Sequence, residues 1–286
     1  MEQITRKLHF WNMFFRIRFF NRKNVLLVIL LFLLITIYLN PIRDFALLSN
    51  YPKISLWVYP FLLTDMQFLL LFVAGTIYFF SDFPFMDGWN KYYLHRVGRI
   101  KWLIIQIKYI VASAILIVSL VLIFIAISLW PYTDISEGWG KVIYTMAKTD
   151  AGQQTGMFWK ISLQFLNQNS PLKAMVISIF ISVIGIIFVG IIMMVCHLCI
   201  SRSFGVLFLT GMTVFVPVAD YFGELFQIEL SMLSPISWMR ISNLGIIKYG
   251  NYIAPSCTYV ICMYLGIIGL ISIFLVKKIQ KIDFFV

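Results

Sequence analysis

Six long, uninterrupted apolar runs constrain this chain more than any other feature. They cover about 24–40, 59–80, 103–129, 174–200, 204–222 and 253–276. A helix needs roughly 20 apolar residues to cross about 30 Å of hydrocarbon. The runs are continuous rather than alternating, and far longer than the roughly 9–11 residues of a barrel strand. The expected fold is therefore an all-α polytopic membrane protein, one transmembrane domain over residues 1–286 with six transmembrane helices. The composition agrees, with 61% apolar and 12% charged residues. A soluble domain carries about 45–50% and about 25%, so this chain has too little polar surface for a soluble enzyme. The first run is expected to stop at Pro41 and to begin near Arg22, whose head can snorkel to the headgroups. Ser201-Arg202-Ser203 separates the fourth and fifth runs, because Arg202 at a bilayer centre would cost several kcal/mol.

The net charge of +11 would suggest nucleic acid in a soluble protein. Here its placement reads differently. Residues 1–24, 81–108, 201–203 and 277–286 carry +5, +3, +1 and +2, while 40–65, 130–173 and 220–252 together sum to zero. With six spans, all of the excess falls on one face. The positive-inside rule then predicts a multi-pass protein of the cell membrane with cytoplasmic N- and C-termini. Membrane lipids, not nucleic acid, are the expected partners of this charge.

Residues 3–23 place Thr5, His9, Asn12, Arg16 and Lys23 on one helical stripe and aromatic residues on much of the rest. Such a helix is expected to lie in the inner interface as an N-terminal amphipathic element, with basic heads toward anionic lipid. Residues 81–102 form the longest internal cytoplasmic loop. Ser81 or Asp82 can cap a short helix there, Pro84 suits its first turn, and Asp87-Gly88 marks a break. Outside, loop 130–173 is expected to hold helices at Ile135 to Ala147 and Met157 to Leu166. Loop 223–252 contains an apolar stretch, Leu225 to Met239, broken at Ser234-Pro235. It is too short to span and is expected to pack as a re-entrant or lip element.

Ionisable residues within the spans are nearly absent, which argues against an ion-coupled carrier with charge at the midplane. Small residues recur at Ser178, Ser182 and Gly185 and at Gly266 and Gly269, as helix packing would use them. Gln67, Phe68, Phe72 and Thr76 on the second span, and Phe208, Met212, Thr213 and Phe215 on the fifth, make mildly polar, aromatic faces. These suit either helix contacts or a pathway for an amphipathic substrate. Cys196-His197-Leu198-Cys199 has CxxC spacing but lies in an apolar run without carboxylates, so packed thiols are expected rather than a metal site. No phosphate-binding GxxxxGK[ST] loop, HExxH or GxSxG occurs. No catalytic residues are assigned, and no cofactor is expected on this chain.

With these features in place, the chain resembles the permease subunits of type-2 ABC exporters. Tyr93-Leu94-His95-Arg96-Val97-Gly98-Arg99-Ile100-Lys101-Trp102, followed by Lys108, resembles the basic segment that leads such permeases into their third span. Leu233-Ser234-Pro235-Ile236-Ser237-Trp238 resembles their outer segment after the fifth span. Loop 130–173 departs from the commonest small permeases. The resemblance implies an exporter of a peptide, drug or other amphipathic substrate, paired with a second permease copy or a paralogue. Two copies of a separate ABC ATPase subunit would carry ATP and Mg. They would dock on Phe83, Phe85, Met86 and Trp89, with Asp82 and Asp87 at the rim and Arg16 on the N-terminal helix. The alternatives are a non-transporting immunity or sensor subunit, or an intramembrane enzyme.

Overall fold

The computed structural model describes residues 19, 21–49, 53–84, 98–134, 138–149, 152, 155–157, 159–226, 230–241, 244–245, 247–248, 251–252 and 255–280. The expected N-terminal helix with Arg16, the expected docking residues Phe85, Met86, Asp87 and Trp89, and residues 93–97 of the basic segment lie outside the described residues, Phe19 and residues 21–23 excepted.

The elements in chain order are α1 (Arg22–Leu48), β1 (Ile54–Ser55), α2 (Tyr59–Thr64), α3 (Met66–Phe80), α4 (Arg99–Leu129), β2 (Thr133–Asp134), α5 (Lys141–Lys148), α6 (Leu163–Gln168), α7 (Pro171–Cys199), α8 (Arg202–Phe226), β3 (Ile247–Lys248), β4 (Asn251–Tyr252) and α9 (Cys257–Ile279). Two 3-10 turns, Leu230–Leu233 and Ser237–Met239, lie between α8 and β3. Five helices, α1, α4, α7, α8 and α9, are long and apolar enough to cross a membrane. α3 is apolar but shorter, at 15 residues.

The long helices alternate in direction. Lys23 meets Ser81 and Asp82, His197 meets Phe83, and Arg99 donates to the Gln280 carbonyl. Thr36 and Phe32 of α1 face Ser128 and Phe124 near the far end of α4. One end of the bundle therefore gathers Arg22, Lys23, Arg99, Lys101, Arg202, Lys277 and Lys278, with Asp82 as the acidic residue among its described members. It is called the basic end below.

α7 is the most buried of the long helices. Its small residues let neighbours approach. A Cβ on Gly190 would sit 2.7 Å from Ile110 of α4, and one on Gly185 would sit 2.9 Å from the Met239 sulfur. Ser182 donates to the Ser178 carbonyl at 2.6 Å, which satisfies its hydroxyl inside the helix. Gly266 and Gly269 behave differently. A Cβ on either meets nothing within 4 Å, so neither mediates the packing expected of it. α9 sits at the edge of the bundle and turns these residues away from it.

Two expected boundaries shift. α1 does not stop at Pro41 but continues seven residues further, to Leu48. Pro41 is buried, with Tyr38, Leu39, Ile42 and Ala46 buried on either side of it, and the Tyr38 carbonyl accepts the Trp159 indole N–H at 3.4 Å. The second run, expected as one helix over 59–80, is divided at Asp65. Asp65 takes an extended conformation (φ −62°, ψ 129°), and its carboxylate accepts the Phe68 N–H at 2.8 Å. It thus ends α2 and caps α3.

Away from the basic end, the described residues between 130 and 168 cover the ends of α1 and α2. β1 and β2 pair in parallel, Ile54 with Thr133 and Ser55 with Asp134. Trp139 packs against Phe61 and Phe165, and its indole donates to the Leu166 and Asn169 carbonyls at 3.1 and 3.0 Å. The two helices in this cap are shorter and later than expected. α5 begins after Gly140, whose φ of 78° suits glycine, and Ser162 caps α6 by accepting the Phe165 N–H.

Candidate functional site

Two polar clusters and one groove stand out from the apolar packing. The first cluster is centred on Asp82, just past α3. One carboxylate oxygen lies 2.7 Å from Lys23 Nζ, and the other lies 3.5 Å from Arg202. Lys23 Nζ also donates to Ser81 Oγ at 2.6 Å and lies 4.5 Å from the centroid of the Tyr78 ring. His197 Nδ1 is 2.9 Å from the Phe83 carbonyl. Three residues after α3, Ser81, Asp82 and Phe83, are thereby tied to the start of α1, the end of α7 and the start of α8. Lys23 is largely shielded, whereas the Asp82 and Arg202 side chains are half exposed.

Phe83 is not presented outward. Its ring is 1% exposed and stacks on Tyr109 of α4 at 5.9 Å and 11°. The expected use of this ring in a docking groove is corrected: Phe83 belongs to the core. Apolar side chains just outside a helix end often fold back onto the bundle, and the sequence alone does not distinguish that from a docking surface. Asp82, expected at the rim of a partner site, is engaged within the chain.

The second cluster lies at the other end. Arg240 pairs with Asp220 of α8 and donates through Nε to the Thr64 carbonyl at 3.0 Å, where α2 gives way to α3. The Arg240 side chain is 11% exposed and that of Asp220 29%. Around it, residues 234–241 form a plug in which every residue but Arg240 is buried, preceded by the more exposed turn Leu230–Leu233. Tyr264 donates to the Pro235 carbonyl at 2.5 Å, Trp238 to the Ser231 carbonyl at 3.0 Å, and Trp238 packs edge-on against Tyr264 at 5.0 Å. Within the expected stretch Leu225 to Met239, two short turns lie on either side of Ser234-Pro235, the first against α8 and the second against α7, with hydrogen bonds from α9.

The groove runs along α1 from the basic end and encloses about 550 Å³. From Val25 to Leu34 no residue of α1 is buried, whereas Ile35, Tyr38, Leu39, Pro41, Ile42 and Ala46 are. The first half of α1 is therefore only partly covered by its neighbours, with Phe32 against Phe124 of α4. α3 supplies Phe72, Gly75, Thr76 and Phe79 to the wall, and α4 supplies Ile117 and Leu120.

The expected pathway residues separate into two sets. Phe68, Phe72, Thr76 and Thr213 are buried, and the two threonine hydroxyls donate to their own helices, at Val73 and Leu209. Gln67, Phe208 and Phe215 are exposed, and Met212 is half-buried. α3 and α8 pack directly on one another, so no channel separates them within one chain. Phe72 and Thr76 instead contribute to the groove beside α1, which the sequence analysis did not foresee. Gly75 was the available signal: a Cβ there meets nothing within 4 Å, because its helix face opens on the groove.

Cys196 is buried and His197 is held by the Phe83 carbonyl. Among the described residues, no group of three His, Cys, Asp or Glu side chains is placed to hold a metal ion. Comparisons of the chain with protein-family models, with curated proteins and with solved structures find no match.

Proposed function

We propose that the chain is the membrane permease subunit of an ATP-driven exporter of the type-2 ABC kind, with six spans. The second span would be α2 and α3 together, bent at Asp65, and both termini would be cytoplasmic. The N-terminal amphipathic helix would lie along the inner interface. The observation that carries the reading is the Asp82 cluster. The loop that the resemblance assigns to the ATPase leaves α3 through residues tied to α1, α7 and α8. A push on that loop would reach three helices through hydrogen bonds and ion pairs rather than through slack chain.

In this reading, two permease subunits pair and two ATPase subunits bind ATP and Mg beneath them. The substrate is a peptide, drug or other amphipathic molecule. Gln67, Phe208 and Phe215, on outward faces, would line the route where two bundles meet, and the buried Phe68, Phe72, Thr76 and Thr213 would support it from behind. Phe85, Met86 and Trp89 would form the docking surface.

Co-purification from the native host tests the assignment. An ATPase subunit should accompany the chain, and Phe85→Asp combined with Met86→Asp should release it and lower ATP turnover. An unchanged complex with unchanged turnover would refute the docking surface, and transport that survives loss of the ATPase would refute the function.

A further inference from the structure

We infer that the groove beside α1 holds one acyl chain of an anionic phospholipid whose headgroup sits at Lys23 and Arg22. The site is independent of the exporter reading and requires only that the helices lie in a membrane.

Three observations identify the occupant. The first is length. The groove follows α1 from Asn24 to Leu34, ten residue steps, or about 15 Å at 1.5 Å per residue. That is half of the roughly 30 Å hydrocarbon thickness, the depth of a single leaflet and the reach of a single chain. The second is polarity. Its walls are apolar along the length, with Leu27, Leu31 and Leu34 of α1 facing Phe72 and Phe79 of α3, and the charges gather at one end only. A volume of about 550 Å³ lies within the roughly 300–1,000 Å³ of small-ligand sites. A single-ended amphiphile matches this layout. A partner helix would need packing surface along both halves of α1, and the second half is already buried in this chain.

The third observation is charge. Lys23 and Arg202 share one carboxylate, Asp82, and exposed Arg22 adds a further positive charge beside Lys23, so the described residues at the mouth carry more positive than negative charge. Lys23 Nζ uses two donors on Ser81 and Asp82 and has a third to offer a phosphate oxygen. Exposed Arg22 precedes it on the same turn. Asp82 would repel a phosphate placed directly on it, so the headgroup belongs on the Arg22–Lys23 side of the mouth.

The test is native mass spectrometry of the full chain released from nanodiscs of equimolar dioleoyl phosphatidylglycerol and dioleoyl phosphatidylcholine. The wild-type chain should retain one phosphatidylglycerol. Gly75→Leu should lose it, because the leucine enters the groove without meeting another atom at its Cβ. Gly266→Leu, equally free of contacts on α9, should retain it. Lys23→Gln should lower the preference for phosphatidylglycerol about fivefold, the contribution of one lysine beside an anionic headgroup, and Lys23→Arg should restore it. Should Lys23→Gln fail to fold, the two glycine variants still decide. Equal lipid retention by wild type and Gly75→Leu overturns the inference. So does a changed oligomeric state in Gly75→Leu with lipid retention intact, since a second copy would then occupy the groove. No ATPase enters the measurement, so its failure leaves the exporter reading standing.

Discussion

Removing the carboxylate of Asp220 is expected to destabilise the fold through the charge it leaves behind. Arg240 is 11% exposed and holds two partners, the Asp220 carboxylate and the Thr64 carbonyl. In Asp220→Asn the guanidinium keeps its burial and loses its counter-charge. Removing one member of a fully buried pair costs about 3–5 kcal/mol. Asp220 is 29% exposed, and water reaching that side should reduce the cost to about 2–3 kcal/mol. Arg240→Met should cost a similar amount, partly because the Thr64 carbonyl loses its donor. The double variant has no stranded charge and should cost little more than either single change. The coupling in the double-mutant cycle is then about 2 kcal/mol. Thermal unfolding in detergent measures it, with each single variant lowering the midpoint by about 5–10 °C. If the two single effects simply add, Arg240 and Asp220 do not act as a pair, and the account of the plug as held by a buried charge is refuted.

Four further outcomes follow from the local surroundings of single residues. Gly185→Leu should destabilise by about 1–3 kcal/mol, since its Cβ would meet the Met239 sulfur at 2.9 Å and the Tyr264 hydroxyl at 3.2 Å. Gly211→Leu, with nothing within 4 Å, should be neutral or slightly stabilising in the same thermal assay. Tyr264→Phe should cost about 1–2 kcal/mol by stranding the buried Pro235 carbonyl, and a midpoint equal to wild type would show that water replaces the hydroxyl. Asp82→Asn should change the unfolding midpoint little, because ion pairs this exposed contribute about 1 kcal/mol or less. If the chain is an exporter permease as proposed, its larger effect should be on ATP turnover of the complex with the ATPase, and unaltered turnover would remove Asp82 from any coupling role.

The long helices were legible because their signal is an average over many residues. Hydropathy summed along 25 residues tolerates a misplaced proline or serine, so α4, α7, α8 and α9 lie within a few residues of their expected positions. What was missed depended on single atoms. Pro41 read as a stop because proline removes one helix hydrogen bond, whereas burial of Tyr38, Leu39, Ile42 and Ala46 around it depends on neighbours distant in sequence. The 59–80 run read as one helix because Asp65 is a single polar residue in it, although Asp-Met-Gln-Phe is also a helix cap. Phe83 read as a docking ring because aromatic residues after a span look alike whether they fold outward or, as here, stack on Tyr109. The groove was invisible because it arises from the angle of α1 to its neighbours. No local pattern encodes that angle, although Gly75 on an otherwise bulky face hinted at open space.

The two ends of the bundle are tied by ion pairs of different burial, and this determines where the helices can separate at least cost. At the end holding Arg240, opening the pair would strand a guanidinium that is 11% exposed, and the plug would have to leave its seat on α7 and α9 with it. At the basic end, Asp82 is shared between Lys23 and Arg202, and both Asp82 and Arg202 are half exposed. Water can replace Arg202 there for about 1 kcal/mol or less, and Lys23 keeps Ser81 as a second partner. α1 also has no buried residue from Val25 to Leu34 on that side. Relative motion of α1, α3 and the α7–α8 turn should therefore occur at the basic end and pivot about the Arg240 cluster. Spin labels at Ile29 and Leu207, both exposed, should give a broader distance distribution than labels at Leu48 and Tyr221, also exposed at the opposite end. Equal widths at the two ends would mean that ion-pair burial does not govern the motion, and the pivot would have to be sought in helix packing instead.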